Sequence, residues 1–281
     1  MKYRVDNIKK FLRKNLRWII LFICMIGFLE TAEDVFGNEI MKKDIIGFYG
    51  YPDPQIFQQI IERNKDCEII DLDVDYNAPD AGILPEAYCV IIKNIINNSI
   101  NLKDRLRYIL ASVGEEKCNS GMFASVILKE HGINVIQTKY EKYPDISYPT
   151  PISKSNLPLA DKINAITEGI YKPFTKKLTE TKPTIGFWGV PPNDFRILEL
   201  FPDTTHIYGW LRCVEAKRPA DLELEMQIDK EVPTVFFSQT FCGKMQLAKY
   251  LADKYNGLYI DIDDKTNRSA IAKVEAFINL R

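Results

Sequence analysis

The sequence predicts an α/β fold: two similar Rossmann-like lobes with parallel sheets, joined by a helix and preceded by an apolar leader. Three observations carry that prediction. The segment Ile45-Ile-Gly-Phe-Tyr-Gly-Tyr-Pro52 returns as Thr184-Ile-Gly-Phe-Trp-Gly-Val-Pro191, and an internal repeat marks a duplicated architecture. Each copy is followed by an apolar run, Tyr108-Ile-Leu-Ala-Ser-Val113 and Thr234-Val-Phe-Phe-Ser-Gln239, and then by a cysteine at the head of a helix-like run, Cys118 and Cys242. Between these points, short apolar runs alternate with helical periodicity, the pattern of parallel strands linked by crossover helices.

Residues 1–40 form the leader. Lys2, Arg4, Lys9, Lys10, Arg13, Lys14 and Arg17 precede the apolar run Trp18–Leu29, which Glu30 ends. That run is shorter than the roughly 20 residues a membrane helix needs. No small-x-small cleavage site follows it, as a signal peptide would require. The expectation is a fused or mis-started leader on a cytoplasmic body that begins near Met41. The competing reading is an anchor through residues 18–29, with its basic end held in the cytoplasm.

The first lobe covers 41–150. Strands are expected at 45–49, 67–72, 107–112 and 133–137, and helices at 54–64, 85–97 and 119–131. The last helix stops at His131-Gly132, a glycine end signal. Prolines 144, 149, 151 and 158 mark a boundary. A linker over 151–182 carries a helix with Leu159, Ile163, Ile166 and Ile170 on one face, ended by Pro173. The second lobe covers 183–281. Its expected strands are 184–188, 204–209, 233–238 and 257–262, and its helices 194–200, 219–226, 243–255 and 268–280.

Composition narrows the function. The chain has 281 residues, 46% hydrophobic and 27% charged, with a net charge of −1. That balance describes a globular protein and gives no electrostatic case for nucleic acid. Its six cysteines include no C-x-x-C pair, which argues against a zinc ribbon or a thioredoxin motif. In a large Lys- and Glu-rich α/β chain, reduced thiols serve metals or catalysis.

Position sorts the cysteines. Cys118 and Cys242 fall at strand carboxyl ends, where open α/β sheets keep ligands and a helix N-terminus favours the thiolate. Cys213, in Trp210-Leu-Arg-Cys-Val-Glu215, also follows a strand. Cys89 is read as mid-helix, Cys67 as a buried core thiol and Cys24 as an apolar filler of the leader. The metal candidates are Cys118, Cys213 and Cys242, with Cys89 added as a cofactor-binding candidate. Each thiol, taken alone, is equally well an isolated structural residue. Asp71, Asp73 and Asp75, and Asp261, Asp263 and Asp264, read first as strand ends, because no calcium-loop pattern surrounds them. His206 reads as structural and Glu115, Glu116 and Lys117 as a solvated loop.

The tail is the most specific part of the chain. Val235-Phe-Phe-Ser-Gln-Thr-Phe-Cys242, Leu258-Tyr-Ile-Asp-Ile-Asp263 and Lys273-Val-Glu-Ala-Phe-Ile278 resemble the last segment of 2-hydroxyacyl-CoA dehydratase/benzoyl-CoA reductase subunits. Lys273 stands where that family has an arginine, and Cys118-Asn119 where it often has Cys-Asp. The regions of Cys213, Cys118 and Cys89 resemble cysteine positions of the same family. Separately, Phe28–Ile40 resembles the first membrane segment of phosphatidic-acid-phosphatase-like proteins, although no catalytic signature of that group follows. The dehydratase resemblance implies a 4Fe–4S or double-cubane cluster held by cysteines between two α/β lobes. It also implies an ATP-dependent activator protein as electron donor, a homodimer or related subunit as partner, and lyase or reductase chemistry on a small or acyl-CoA substrate. The alternative is a non-catalytic two-lobed protein that binds or carries a metal or tetrapyrrole.

Overall fold

A strand whose residues are apolar on both faces must be covered on both faces, so it belongs in the middle of a parallel sheet. Ile45-Ile-Gly-Phe-Tyr49 is such a run. In the computed structural model, which describes residues 43–115, 117–139 and 147–281, it forms β1 (Ile45–Tyr49), with all five residues buried. β1 pairs in parallel with β2 (Glu68–Asp71) on one side and β3 (Leu106–Ser112) on the other. β4 (Val135–Thr138) closes the sheet against β3. The order is β2-β1-β3-β4. The second sheet repeats it. β5 (Gly186–Trp188), β6 (His206–Tyr208), β7 (Thr234–Gln239) and β8 (Leu258–Ile262) stand in the order β6-β5-β7-β8, all parallel. The repeated sequence is therefore a repeated topology. The leader expected over 1–40 lies outside the described residues.

The helices follow from their caps and apolar faces. α1 (Pro54–Arg63) has proline in its first turn and Asp53 as N-cap, whose carboxylate accepts from the Gln55 and Ile56 amides at 3.0 and 2.9 Å. Its Phe57 packs on Phe48, with ring centroids 5.0 Å apart. α2 (Val90–Asn101) begins and ends four to five residues later than the 85–97 expected from periodicity. The polar residues beyond 97 are partnered inside the fold. Asn98 donates to the Leu72 and Val74 carbonyls at 3.1 and 2.8 Å, and Ser99 to that of Ile95 at 2.6 Å. α3 (Asn119–Glu130) ends where expected, with Gly132 at φ +76.

In the second half α4 (Leu159–Glu168) is the linker helix. Leu159, Ile163 and Ile166 are buried in the same apolar cluster as Phe187, Val235 and Ile260. The helix expected over 194–200 is a 3₁₀ turn, Phe195–Leu200. α5 (Trp210–Glu215) was not expected. α6 (Leu222–Met226) is shorter than the 219–226 expected. α7 (Met245–Lys254) and α8 (Arg268–Asn279) match their expected positions. Asp44–Arg281 forms one unit. Tyr51 of the first lobe sits in the apolar core of the second, and Cys242 of the second packs on the core of the first. Among the described residues, no helix is long and apolar enough to cross a membrane.

Candidate functional site

In an open α/β sheet, a crevice opens at the carboxyl ends of the strands where the strand order reverses. Here that point is β1/β3 in one lobe and β5/β7 in the other. The two crevices meet in one cavity of about 480 Å³. Tyr49, Gly50 and Ser112 line it from the ends of β1 and β3, and Val190, Cys242 and Lys244 from the segments after β5 and β7. Gly50 turns the chain away from the sheet at φ +65, a region that glycine adopts without strain. Its amide donates to Asp73 Oδ2 at 2.9 Å.

Three thiols line this cavity: Cys89, Cys118 and Cys242. Cys89 is the N-cap of α2 and not a mid-helix residue, because that helix starts at Val90. Cys118 is the N-cap of α3 and is exposed. Cys242 lies in the turn between β7 and α7. Phe241, at φ +63, folds this turn back, and the Cys242 amide donates to the Gln239 carbonyl at 3.0 Å. The neighbouring Cys242 side chain, across the lobe boundary, favours the Cys89 thiolate and brings the Cys89 pKa down to about 7. The amides of Ile92 and Ile91 act in the same direction, and burial opposes them. The Cys242 thiol is pushed well up, first by the Cys89 side chain beside it and then by burial. The site therefore favours one thiolate, on Cys89, beside a protonated neighbour.

Cys213 does not join them. It lies in the middle of α5, fully buried, with its sulfur 3.8 Å from the Asp221 carbonyl and outside the cavity lining. Burial pushes its thiol up to about 12. The expectation that it faces the crevice assumed a loop after β6. The chain instead enters a helix at Trp210, which turns Cys213 inward. Cys67 precedes β2, is half-buried, and packs beside Ile46 and Phe48 away from the cavity. Cys24 lies outside the described residues.

The same cavity holds carboxyls that sequence reasoning placed only at a strand end. Asp71 closes β2, and its Oδ1 accepts from the Asp73 amide at 3.0 Å. Both carboxyls line the cavity, and neither forms an ion pair among the described residues. Burial raises Asp73 to about 6 and raises Asp71 as well, with the Asp73 charge adding to the effect on Asp71. A polar strap runs beside them between the lobes. Asn94 donates to the Asp73 carbonyl at 3.0 Å and to Asn193 Oδ1 at 2.8 Å, and Asn193 donates to Asp264 Oδ1 at 2.7 Å.

The remaining walls are mostly apolar, with Ile91, Ile95, Ile163, Phe195 and Trp210 prominent. Lys244 is held by the buried Glu225 carboxylate at 2.5 and 2.7 Å. Lys117 lines the rim and donates to the Pro219 carbonyl at 3.0 Å. Glu115 is exposed off the cavity, and Glu116 lies outside the described residues. His206 is structural: its Nε2 pairs with the Thr181 carbonyl at 2.8 Å. Periodicity held no signal for Tyr49, Asn94, Asn193 or Lys244. The one available hint was that Tyr49, Asn193 and Lys244 lie close in sequence to strand ends; Asn94, inside α2, offered none.

Among the described residues, no group of three or more His, Cys, Asp or Glu side chains is placed to hold a single metal ion. No protein-family model matches the chain, and no curated protein matches it.

Proposed function

We propose that the chain is an iron–sulfur protein whose cluster is held by Cys89, Cys118 and Cys242, and that it takes part in low-potential electron transfer to a small or acyl-CoA substrate. One observation carries this reading: three thiols from two lobes line a single cavity. The donor set fits such a group. It is soft thiolate without histidine, and thiolates are the usual protein ligands of these clusters. The Cys89 thiol stands at a helix N-terminus, where the partial positive charge supports anionic sulfur. The resemblance of the tail to 2-hydroxyacyl-CoA dehydratase subunits supports the same reading. Cys213 is not in the proposed ligand set.

Held by Cys89, Cys118 and Cys242, such a cluster would supply single-electron chemistry. The chain's own residues do the rest. The apolar walls bind a substrate of modest size and keep water out, which strengthens every charge interaction inside. Asp71 and Asp73, raised by burial, line the same cavity and are suited to exchange a proton there. The Lys244–Glu225 pair fixes the turn that presents Cys242. Reduced thiols in these roles suit a cytoplasmic protein.

Anaerobic purification with iron and sulfide analysis tests the reading. Stoichiometric iron and acid-labile sulfide, with broad absorbance around 400 nm, are expected. A colourless, iron-free protein with free thiols would overturn it in favour of a two-lobed binding or carrier protein.

A further inference from the structure

We propose that the cavity takes a small organic cation, an ammonium group on an apolar body, and that Asp71 and Asp73 receive its charge. This inference rests on the reading that the cavity is a substrate site, and it chooses between the small and acyl-CoA substrates named there. The charged side chains of the wall decide the choice. Asp71, Asp73 and Asp75 line the cavity, and so do Lys117 and Lys244. The Lys244 ammonium is already held by both oxygens of the buried Glu225, and Lys117 donates to the Pro219 carbonyl at 3.0 Å. The three aspartates form no ion pair among the described residues. With Glu225 included, four carboxyls stand against two ammonium groups, so the fixed charge around the cavity is negative.

Backbone amides hold the two central carboxyls in place. Asp71 Oδ1 accepts from the Asp73 amide at 3.0 Å, and Asp73 Oδ2 from the Gly50 amide at 2.9 Å. Each keeps its second oxygen without a partner among the described residues. Burial raises both groups, because an anion at this wall lacks a counter-charge. A bound ammonium supplies that counter-charge together with the missing hydrogen-bond donors. The apolar side chains of Ile91, Ile95, Ile163, Phe195 and Trp210 then cover a hydrocarbon or aromatic body. A volume of about 480 Å³ lies in the range of small-molecule sites. An acyl-CoA offers no positive charge to the aspartates, and its phosphates add anions to a wall that already carries an excess of them.

The test is calorimetric binding to the full-length protein, purified anaerobically, at neutral pH. Four probes share one phenyl body: 2-phenylethylamine, 2-phenylethanol, 3-phenylpropanoate and phenylacetyl-coenzyme A. The amine is expected to bind roughly tenfold or more tightly than each of the other three, the effect of one charged hydrogen-bonded pair. Asp71→Asn and Asp73→Asn should each weaken the amine by about tenfold and leave the alcohol unchanged. Asp253→Asn, on the exposed face of α7, should alter neither. The wild-type probe series decides alone if the variants fold poorly. The proposal is overturned if the amine does not bind, if the alcohol, the carboxylate or the thioester binds as tightly, or if both folded Asn variants keep full affinity for the amine. Iron analysis of the same preparation separates the two ideas. An iron-free protein that prefers the amine sinks the cluster reading alone, and an iron-loaded protein that prefers the thioester sinks this proposal alone.

Discussion

The two lobes share a strand order but differ in what they bring to the cavity. In both, the connection from the second strand to the third carries a cysteine. In the first lobe that residue, Cys89, caps α2 and faces the crevice. In the second, Cys213 lies within α5 and is turned into the protein. The connection after the third strand gives Cys118 in one lobe and Cys242 in the other, and both line the cavity. The first lobe thus supplies two thiols and two carboxyls that form no ion pair among the described residues. The second supplies one thiol and a lysine already neutralised by Glu225. Duplication preserved the frame, and where each helix begins decides which thiol the frame presents. A shift of four residues, about one helical turn, separates a ligand candidate from a core residue.

The sharpest way to break this comparison is to exchange its cysteines. Cys242→Ser, Cys89→Ser and Cys118→Ser should each remove most of the bound iron, read by anaerobic iron analysis. Cys213→Ser should retain the iron and destabilise the fold by about 1–3 kcal/mol, the cost of burying a hydroxyl where a thiol stood. Iron loss in Cys213→Ser without loss of stability would reverse the assignment.

The repeated glycines offer a second contrast. A Cβ on Gly189 would lie 2.6 Å from the Phe237 carbonyl oxygen in the central strand β7. That backbone atom cannot move aside, so Gly189→Ala should cost about 3 kcal/mol. A Cβ on its counterpart Gly50 would meet the Ser112 side chain at 2.9 Å, at φ +65. Gly50→Ala should cost about 1–2 kcal/mol, mainly the left-handed conformation. Chemical denaturation of both variants checks the order.

The smallest effect concerns pH. Asp73 is raised to about 6 in the folded protein, above its unfolded value. Its contribution to stability is therefore full below the unfolded carboxyl pKa and is lost as pH rises through about 6. Asp73→Asn should flatten the stability profile between roughly pH 4 and 6 by about 1–2 kcal/mol, since the group is half-buried and solvent screens part of the effect. An unchanged slope would show that the carboxylate is solvated in the folded state.

Much of the frame was legible because it is repeated. Ile45–Tyr49 and the Gly-Phe-Trp of β5 are apolar on both faces, and only a central parallel strand explains that. Cys118 and Cys242 were legible because the repeat aligned them. Cys89 and Cys213 were not, because their roles depend on helix starts, the least certain boundaries in any sequence reading. α5 is six residues long and shows no usable period, and the polar run Asn97-Asn98-Ser99 hid the continuation of α2. Asp73 gains its place through Gly50, a contact across 23 positions that no local pattern announces.

The parallel order of strands also sets a schedule. β4 ends at Thr138, so the first sheet has all its strands once that residue has left the ribosome, and Cys89 and Cys118 are then in place. Cys242 is made only later, and at ordinary synthesis rates the interval is roughly 5–20 s. During it the nascent chain presents two thiols without the third. The cavity closes only when β7 and the turn after it pair into the second sheet. On the iron–sulfur reading proposed above, a cluster on all three sulfurs would be loaded only after Cys242 has been made and the second sheet has formed.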